Sequence, residues 1–257
     1  MDENQLISLA IETGETMLKS GAETHRVEDT MERILSVDGK RNPEAFVTAT
    51  GVFASIQSQN NGPVTQFKRI STRSINLEKI TLANSLSRNF TDKKITLEEA
   101  MLEIKRINEL KAYPYPLTIL SYGIVSGCFS KMLGSTTIDA FVAFIVGILL
   151  GVFVHLLNKK NVSQFLVSFV GGVFITALAL IFIRIGFGQS YDSVIIGSLM
   201  PLVPGVAITN AIRDVMGGDY LSGMARVLEA ALVAVAIASG AGIALRCYTI
   251  LLGGVLL

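Results

Sequence analysis

The stretch Ile138-Asp-Ala-Phe-Val-Ala-Phe-Ile-Val-Gly-Ile-Leu-Leu-Gly-Val-Phe-Val-His-Leu-Leu157 decides the class of this chain. It holds one acid near its start, one histidine near its end, and neither Lys nor Arg. Coiled into a helix at about 1.5 Å per residue, a run of this length crosses the roughly 30 Å hydrocarbon core of a bilayer. Similar apolar runs lie on either side of it, and together they predict five spans, near 117–134, 138–157, 165–185, 192–212 and 222–245. The charge distribution agrees. Residues 1–116 carry 15 Lys+Arg and 16 Asp+Glu, and the remainder only 7 and 5 of the chain's 22 and 21. The expected fold class is therefore a membrane all-α bundle of five transmembrane helices, residues 113–257, preceded by a small cytosolic α+β domain, residues 1–112.

Orientation follows from the basic residues. The N-terminus, Met1-Asp-Glu-Asn-Gln5, is acidic and lacks the basic-then-apolar order of a secretory signal. The first apolar run begins only near Leu117, so the preceding part is expected to stay cytoplasmic. One set of connections holds Lys105, Arg106, Lys111, Lys159, Lys160, Arg213 and Arg226, whereas the opposite ends hold Lys131, Arg184 and Arg246. This is the positive-inside bias of an N-in, C-out protein. The apolar tail from Cys247 to Leu257 either extends the fifth span or lies at the interface.

Small residues forecast helix contacts, because close backbone approach is the main attractive device where lipid removes the hydrophobic drive. Gly123-Ile-Val-Ser-Gly127 and Gly147-Ile-Leu-Leu-Gly151 are GxxxG motifs, and Ala230, Ala234, Ala238 and Gly242 recur every four residues. Cys128 and Cys247 are the only cysteines and sit in apolar segments, which reads as buried free thiols rather than a disulfide framework.

In the N-terminal part, residues 4–20 and 24–36 read as helices meeting at Gly21. Phe46–Gln57 and Val64–Ser71 flank Asn60-Asn61-Gly62-Pro63 and predict a β-hairpin. Helices follow over 75–90 and 97–111, the second opened by the capping box Thr96-Leu-Glu-Glu99.

Charge near neutrality gives no basic stripe for nucleic acid. GxGxxG, a phosphate loop, CxxC and HExxH are all missing, and with only His25 and His155 a histidine-centred catalytic or metal site is hard to build. The chain is thus expected to be no enzyme, with no catalytic residues, metal or cofactor. An intramembrane hydrolase would need a nucleophile–base pair, and His155 has no evident serine or cysteine partner.

The residues that carry chemistry lie in the fourth run, Pro201-Leu-Val-Pro204-Gly205-Val-Ala-Ile-Thr209-Asn210-Ala-Ile-Arg213-Asp214. Two prolines and a glycine mid-run free backbone carbonyls that cannot stay bare in lipid. Transporters use such breaks: a half-helix N-terminus meets an anionic group, and unwound carbonyls meet a cation. A half-helix from Gly205 would place Thr209 and Asn210 to hydrogen-bond a substrate. Arg213 would attract a carboxylate, and Asp214 or Glu229 would handle an ammonium or a coupled proton. The bland alternative is a proline-kinked structural helix. Glu229 lies in the membrane if the fifth span starts near Ser222, and on the surface if it starts near Leu232. In the N-terminal part, Glu23, Arg26 and Glu28 either bind a ligand, touch the membrane half, or form ordinary ion pairs.

Gly21–Glu28, Ile75-Asn-Leu-Glu-Lys79 with Leu86-Ser-Arg88, and above all Pro201–Asp214 followed by Gly218-Asp219, Gly223, Arg226 and Glu229-Ala230 resemble the threonine/serine exporter family. The resemblance runs through nearly the whole chain in order. It implies an inner-membrane (plasma-membrane) exporter of small hydrophilic metabolites, threonine and serine in some members and dicarboxylates such as succinate in others, driven by the proton gradient. Longer members continue into a second set of membrane helices. Ending at Leu257, this chain resembles the split, two-component type, which implies a separate small membrane subunit, a homo-oligomer, or both. A rival from another class is a membrane-anchored sensor or scaffold.

Overall fold

The computed structural model describes residues 2–37, 39, 43–58, 62–71, 73–111, 113–160 and 162–252. The chain divides into two compact units. One comprises Met1–Ala112 with Val206–Leu228, the other Tyr113–Gly205 with Glu229–Leu257.

In the first unit, α1 (Glu3–Lys19) and α2 (Thr24–Leu35) pack as a hairpin. Gly14 permits the approach, since a Cβ there would sit 2.3 Å from the Met31 sulfur. α1 ends in a full Schellman motif, which satisfies two of its last carbonyls. Gly21 takes positive φ (88°), its N–H donates to Leu18 O, and the Ala22 N–H donates to Met17 O. Leu6, Leu9, Met17, Val27, Met31 and Ile34 are wholly buried and form the core with one face of a small sheet.

That sheet departs from expectation. Instead of one hairpin it is an antiparallel meander, β1 (Pro43–Thr48), β2 (Gly51–Ser58) and β3 (Gly62–Arg69), in spatial order 1-2-3. The segment read as a single strand, Phe46–Gln57, folds back at Ala49-Thr50, where Thr48 pairs with Gly51. Strand-like alternation on both sides of a turn without Pro or Asn hid the reversal. β2 and β3 pair antiparallel, Ser58 opposite Gly62, and residues 60 and 61 of the expected Asn60-Asn61-Gly62-Pro63 turn lie outside those described. Val47, Val52, Ala54 and Ile56 face the core, while Phe46, Phe53 and Phe67 stand in register on the outer face.

α3 (Leu77–Thr91) is capped by Asn76, and α4 (Leu97–Glu109) carries the predicted Thr96–Glu99 capping box. α9 (Gly205–Met216) and the first turns of α10 (Tyr220–Leu252) complete this unit. α9 is inside-out for a helix in water. Ile208, Ile212 and Met216 are exposed, whereas Asn210 and Asp214 are buried.

The second unit is helical: α5 (Tyr115–Met132), α6 (Thr137–Asn158), α7 (Gln164–Arg184), α8 (Tyr191–Leu199), a 3-10 turn over Met200–Leu202, and the rest of α10. Among the described residues, α6, α7 and α10 are long and apolar enough to cross a membrane, and α8 with α9 makes a fourth if the broken pair counts as one span. α5 is not in that group; its 18 residues include Thr118, Ser121, Ser126, Ser130 and Lys131.

The two GxxxG motifs pack on each other. Cβ atoms at Gly123 and Gly127 would meet α6 backbone oxygens of Phe144 and Ala140 at 3.0 Å, and one at Gly147 would meet Tyr122 O at 2.6 Å. The alanine stripe of α10 does not behave as expected. Ala234 and Ala238 are exposed, and Gly242 has open space around it. The buried face is Val233, Ala236, Ile237 and Ala241, and it meets α7 where a Cβ at Gly172 would lie 2.7 Å from Ile237 O and one at Gly240 2.1 Å from Phe169 O. Cys128 and Cys247 are free but exposed, not buried. Apolar neighbours in a membrane helix point outward as well as inward, so an apolar sequence context does not imply a core position.

Candidate functional site

The break in the fourth run is present. α8 and its 3-10 turn end at Leu202, Val203 is extended (φ −65°, ψ 129°), and α9 starts at Gly205. Pro201 and Pro204 donate no backbone hydrogen bond, and Pro204 also disfavours helical ψ at Val203. The Val203 N–H donates to Met200 O at 3.1 Å and the Gly205 N–H to Val203 O at 2.8 Å.

Downstream, within the first unit, the predicted polar residues converge on the α1–α2 turn. The Asn210 amide donates to Gly21 O at 2.7 Å. Arg213 pairs with Glu23. Asp214 is the node of this arrangement. Its Oδ1 accepts the Thr24 N–H at 2.9 Å, its Oδ2 accepts the Thr24 hydroxyl at 3.1 Å, and Arg226 Nε lies 3.0 Å from Oδ2. Arg226 also donates to Ala22 O at 2.8 Å. The pair is deeply buried, with side-chain exposures of 5% for Arg226 and 0% for Asp214. The Asp214 carboxylate caps α2, because the N-cap residue itself, Glu23, makes no side-chain cap and turns to Arg213 instead.

Thr209 is exposed, and its hydroxyl donates to Val206 O at 3.1 Å. Arg26 is exposed on α2. Glu28 is half-buried and accepts the Val47 N–H at 2.8 Å. Burial raises its carboxyl above the ordinary glutamate range, and the Asp219 and Glu32 charges push the same way, against the Val47 N–H and His25. Asp219, in the α9–α10 turn, is also raised, first by burial and then by the Asp214 carboxylate, with His25 opposing. Glu229 lies exposed on α10, at the first position of the second unit's share of that helix.

Two functional-looking residues escaped the sequence reading. Thr24 lies inside the Gly21–Glu28 motif, but its role was hidden because its partner Asp214 lies 190 positions on. Asp139, wholly buried, forms a capping box with Thr136 and accepts the Gln189 and Ser190 N–H groups at 2.6 and 3.2 Å, tying the α7–α8 connection to the start of α6. The Thr136-x-x-Asp139 spacing was visible in the sequence. Among the described residues, no group of three or more His, Cys, Asp or Glu is placed to hold a metal. A groove of about 430 Å³ between α3 and α4 is lined by Leu82, Leu86, Asn89, Leu102 and Arg106 and includes none of the predicted residues.

Long apolar helices, with α8 and α9 separated by a break at paired prolines, define a helical membrane protein, and the family it belongs to is one of transporters. The chain belongs to the threonine/serine exporter family: the family described as "Putative threonine/serine exporter" (ThrE) matches residues 8–248, and the resemblance read from the motifs is borne out. A Mycobacterium tuberculosis protein, "Probable threonine/serine exporter", is 22% identical over 248 residues, covering 95% of this chain and 46% of the relative, so this chain spans about half its length. A Klebsiella aerogenes protein, "Probable succinate transporter subunit YjjP", is 22% identical over 254 residues, 96% of this chain and 95% of the relative. No solved structure matches the chain at a significant level.

Proposed function

We propose that this chain is a subunit of a secondary-active, proton-coupled exporter in the inner membrane. It carries threonine and serine out of the cytoplasm across five spans, with the N-terminal elements cytoplasmic. The observation that carries the reading is the break at Pro201–Gly205, followed within three turns by Asn210, Arg213 and Asp214, in a chain of an exporter family. Zwitterionic amino acids need one group for each charge, and Arg213 and Asp214 offer one of each. Pro201, Pro204 and Gly205 open the helix, Thr209 and Asn210 hydrogen-bond the substrate, and Asp214 or Glu229 takes the proton. Residues 229–252 alone measure about 36 Å as helix, enough to cross the hydrocarbon, which supports a position for Glu229 at its edge. A second membrane subunit is part of the proposal, supported by the word "subunit" in the Klebsiella relative's name. The same name supports a second reading, succinate as the cargo.

Export from cells preloaded with labelled threonine, serine or succinate, with and without the candidate second subunit, tests this. Faster loss of label for threonine and serine is expected, and equal loss for all three in the presence and absence of this chain removes the assignment. Arg213→Ala should abolish flux while the protein still reaches the membrane, whereas a sensor or scaffold would be indifferent to it.

A further inference from the structure

We propose that the turn Gly21-Ala-Glu-Thr24 is a built-in stand-in for the amino-acid substrate, occupying the α9 and α10 groups that bind threonine or serine until substrate displaces it. This rests on the exporter reading above and deepens it. Threonine and serine present a carboxylate, an N–H-bearing cation and a hydroxyl within a few bonds. The turn presents the matching set: the Glu23 carboxylate to Arg213, the Thr24 N–H to Asp214 Oδ1, and the Thr24 hydroxyl to Asp214 Oδ2. Succinate has no such donors when ionised, and its second carboxylate would meet the negative charge of Asp214.

The joint is built from exchangeable groups. A permanent helix–helix contact is made at least as well by apolar packing, because a buried ion pair costs desolvation that its attraction barely repays. Here the contact is instead ionic and hydrogen-bonded: Asn210 and Arg226 hold the Gly21 and Ala22 carbonyls, and Arg213 and Asp214 hold Glu23 and Thr24. Every one of these side chains can give up a turn atom for a ligand atom of the same chemistry. Release frees the Gly21 and Ala22 carbonyls and the Thr24 N–H and hydroxyl, while the Schellman end of α1 keeps the Gly21 and Ala22 N–H groups satisfied internally.

An internal occupant raises the apparent dissociation constant of the real ligand, which equals the intrinsic constant divided by the fraction of time the site is free. Thr24→Ala removes one hydrogen bond to a charged acceptor. In the intact exporter it should therefore lower the half-saturating threonine concentration about tenfold. An unchanged or raised value overturns the proposal. A second measurement does not depend on flux. The Thr24 amide is protected by Asp214, so hydrogen exchange of the segment 21–25 in the complex isolated from its own membranes should accelerate when threonine or serine is added, and not with succinate. Exchange indifferent to both amino acids, or accelerated by succinate alone, overturns it. Failure of the exporter reading shows separately, as no flux of any substrate from the wild type, and the exchange result still decides the role of the turn.

Discussion

Asp214 carries more of the first unit's polar bonding than its exposed-looking sequence context indicates. Removing it leaves Arg226 buried beside an empty acceptor, and breaking one side of such a pair costs about 3–5 kcal/mol. Asp214→Ala should therefore lower the melting temperature strongly, and adding Arg226→Met should restore part of the loss; an additive double variant would mean the two do not act as a pair. Glu28 gives a pH-dependent case. Its folded-state carboxyl is raised, so it favours the folded state below the ordinary glutamate value near 4.5 and loses that contribution as pH rises through its folded value. Glu28→Gln keeps an acceptor for the Val47 N–H without the charge. It should raise the melting temperature at pH 8, with the gain fading toward pH 4.5, and a gain independent of pH would contradict the assignment. Of the candidate site residues, Asn210, Arg213 and Asp214 stood out in the sequence because polar groups after a proline break in an apolar run demand an explanation. Thr24 was not, because nothing near it in sequence needs Asp214.

At the scale of elements, local chemistry was a good guide to where helices start and stop. Prolines ended α8, the Thr96 and Thr136 boxes opened α4 and α6, and Gly21 closed α1. Partner choice was a poorer guide. The GxxxG motifs of α5 and α6 pack together, but Ala234, Ala238 and Gly242 of the α10 repeat point away, only Ala230 being buried, and Gly172 and Gly240 make the α7–α10 contact. A four-residue repeat of small side chains marks a face that can approach closely without saying which of two such faces does. Gly240→Val should consequently disrupt this contact, since even a Cβ would clash with Phe169 O, and overpacking costs about 1–3 kcal/mol or more. Ala238→Val, on the exposed face, should be nearly neutral. Comparing thermal stability of the two variants in detergent checks the assignment, and equal losses would refute it.

For the whole molecule, the proposed proton coupling predicts that threonine efflux from loaded, right-side-out vesicles speeds up when the outside is made acidic and slows when an ionophore collapses the gradient. Flux insensitive to both would remove the coupling and leave the carrier. The sequence by itself determined that this is a helical membrane protein with an additional α+β part, that its fourth run is broken, and which family it belongs to. The first two rest on hydropathy, proline and capping chemistry, and the family on the motifs at 21–28, 75–88 and 201–230, all of them readable along the chain. Only the tertiary structure decided that Val206–Leu228 folds with the N-terminal elements, that β1 and β2 are separate strands, and that Asp214 caps α2 while paired with Arg226. Each of these depends on groups up to about 190 residues apart satisfying one another's charge and hydrogen bonds, and sequence spacing carries no record of such pairings.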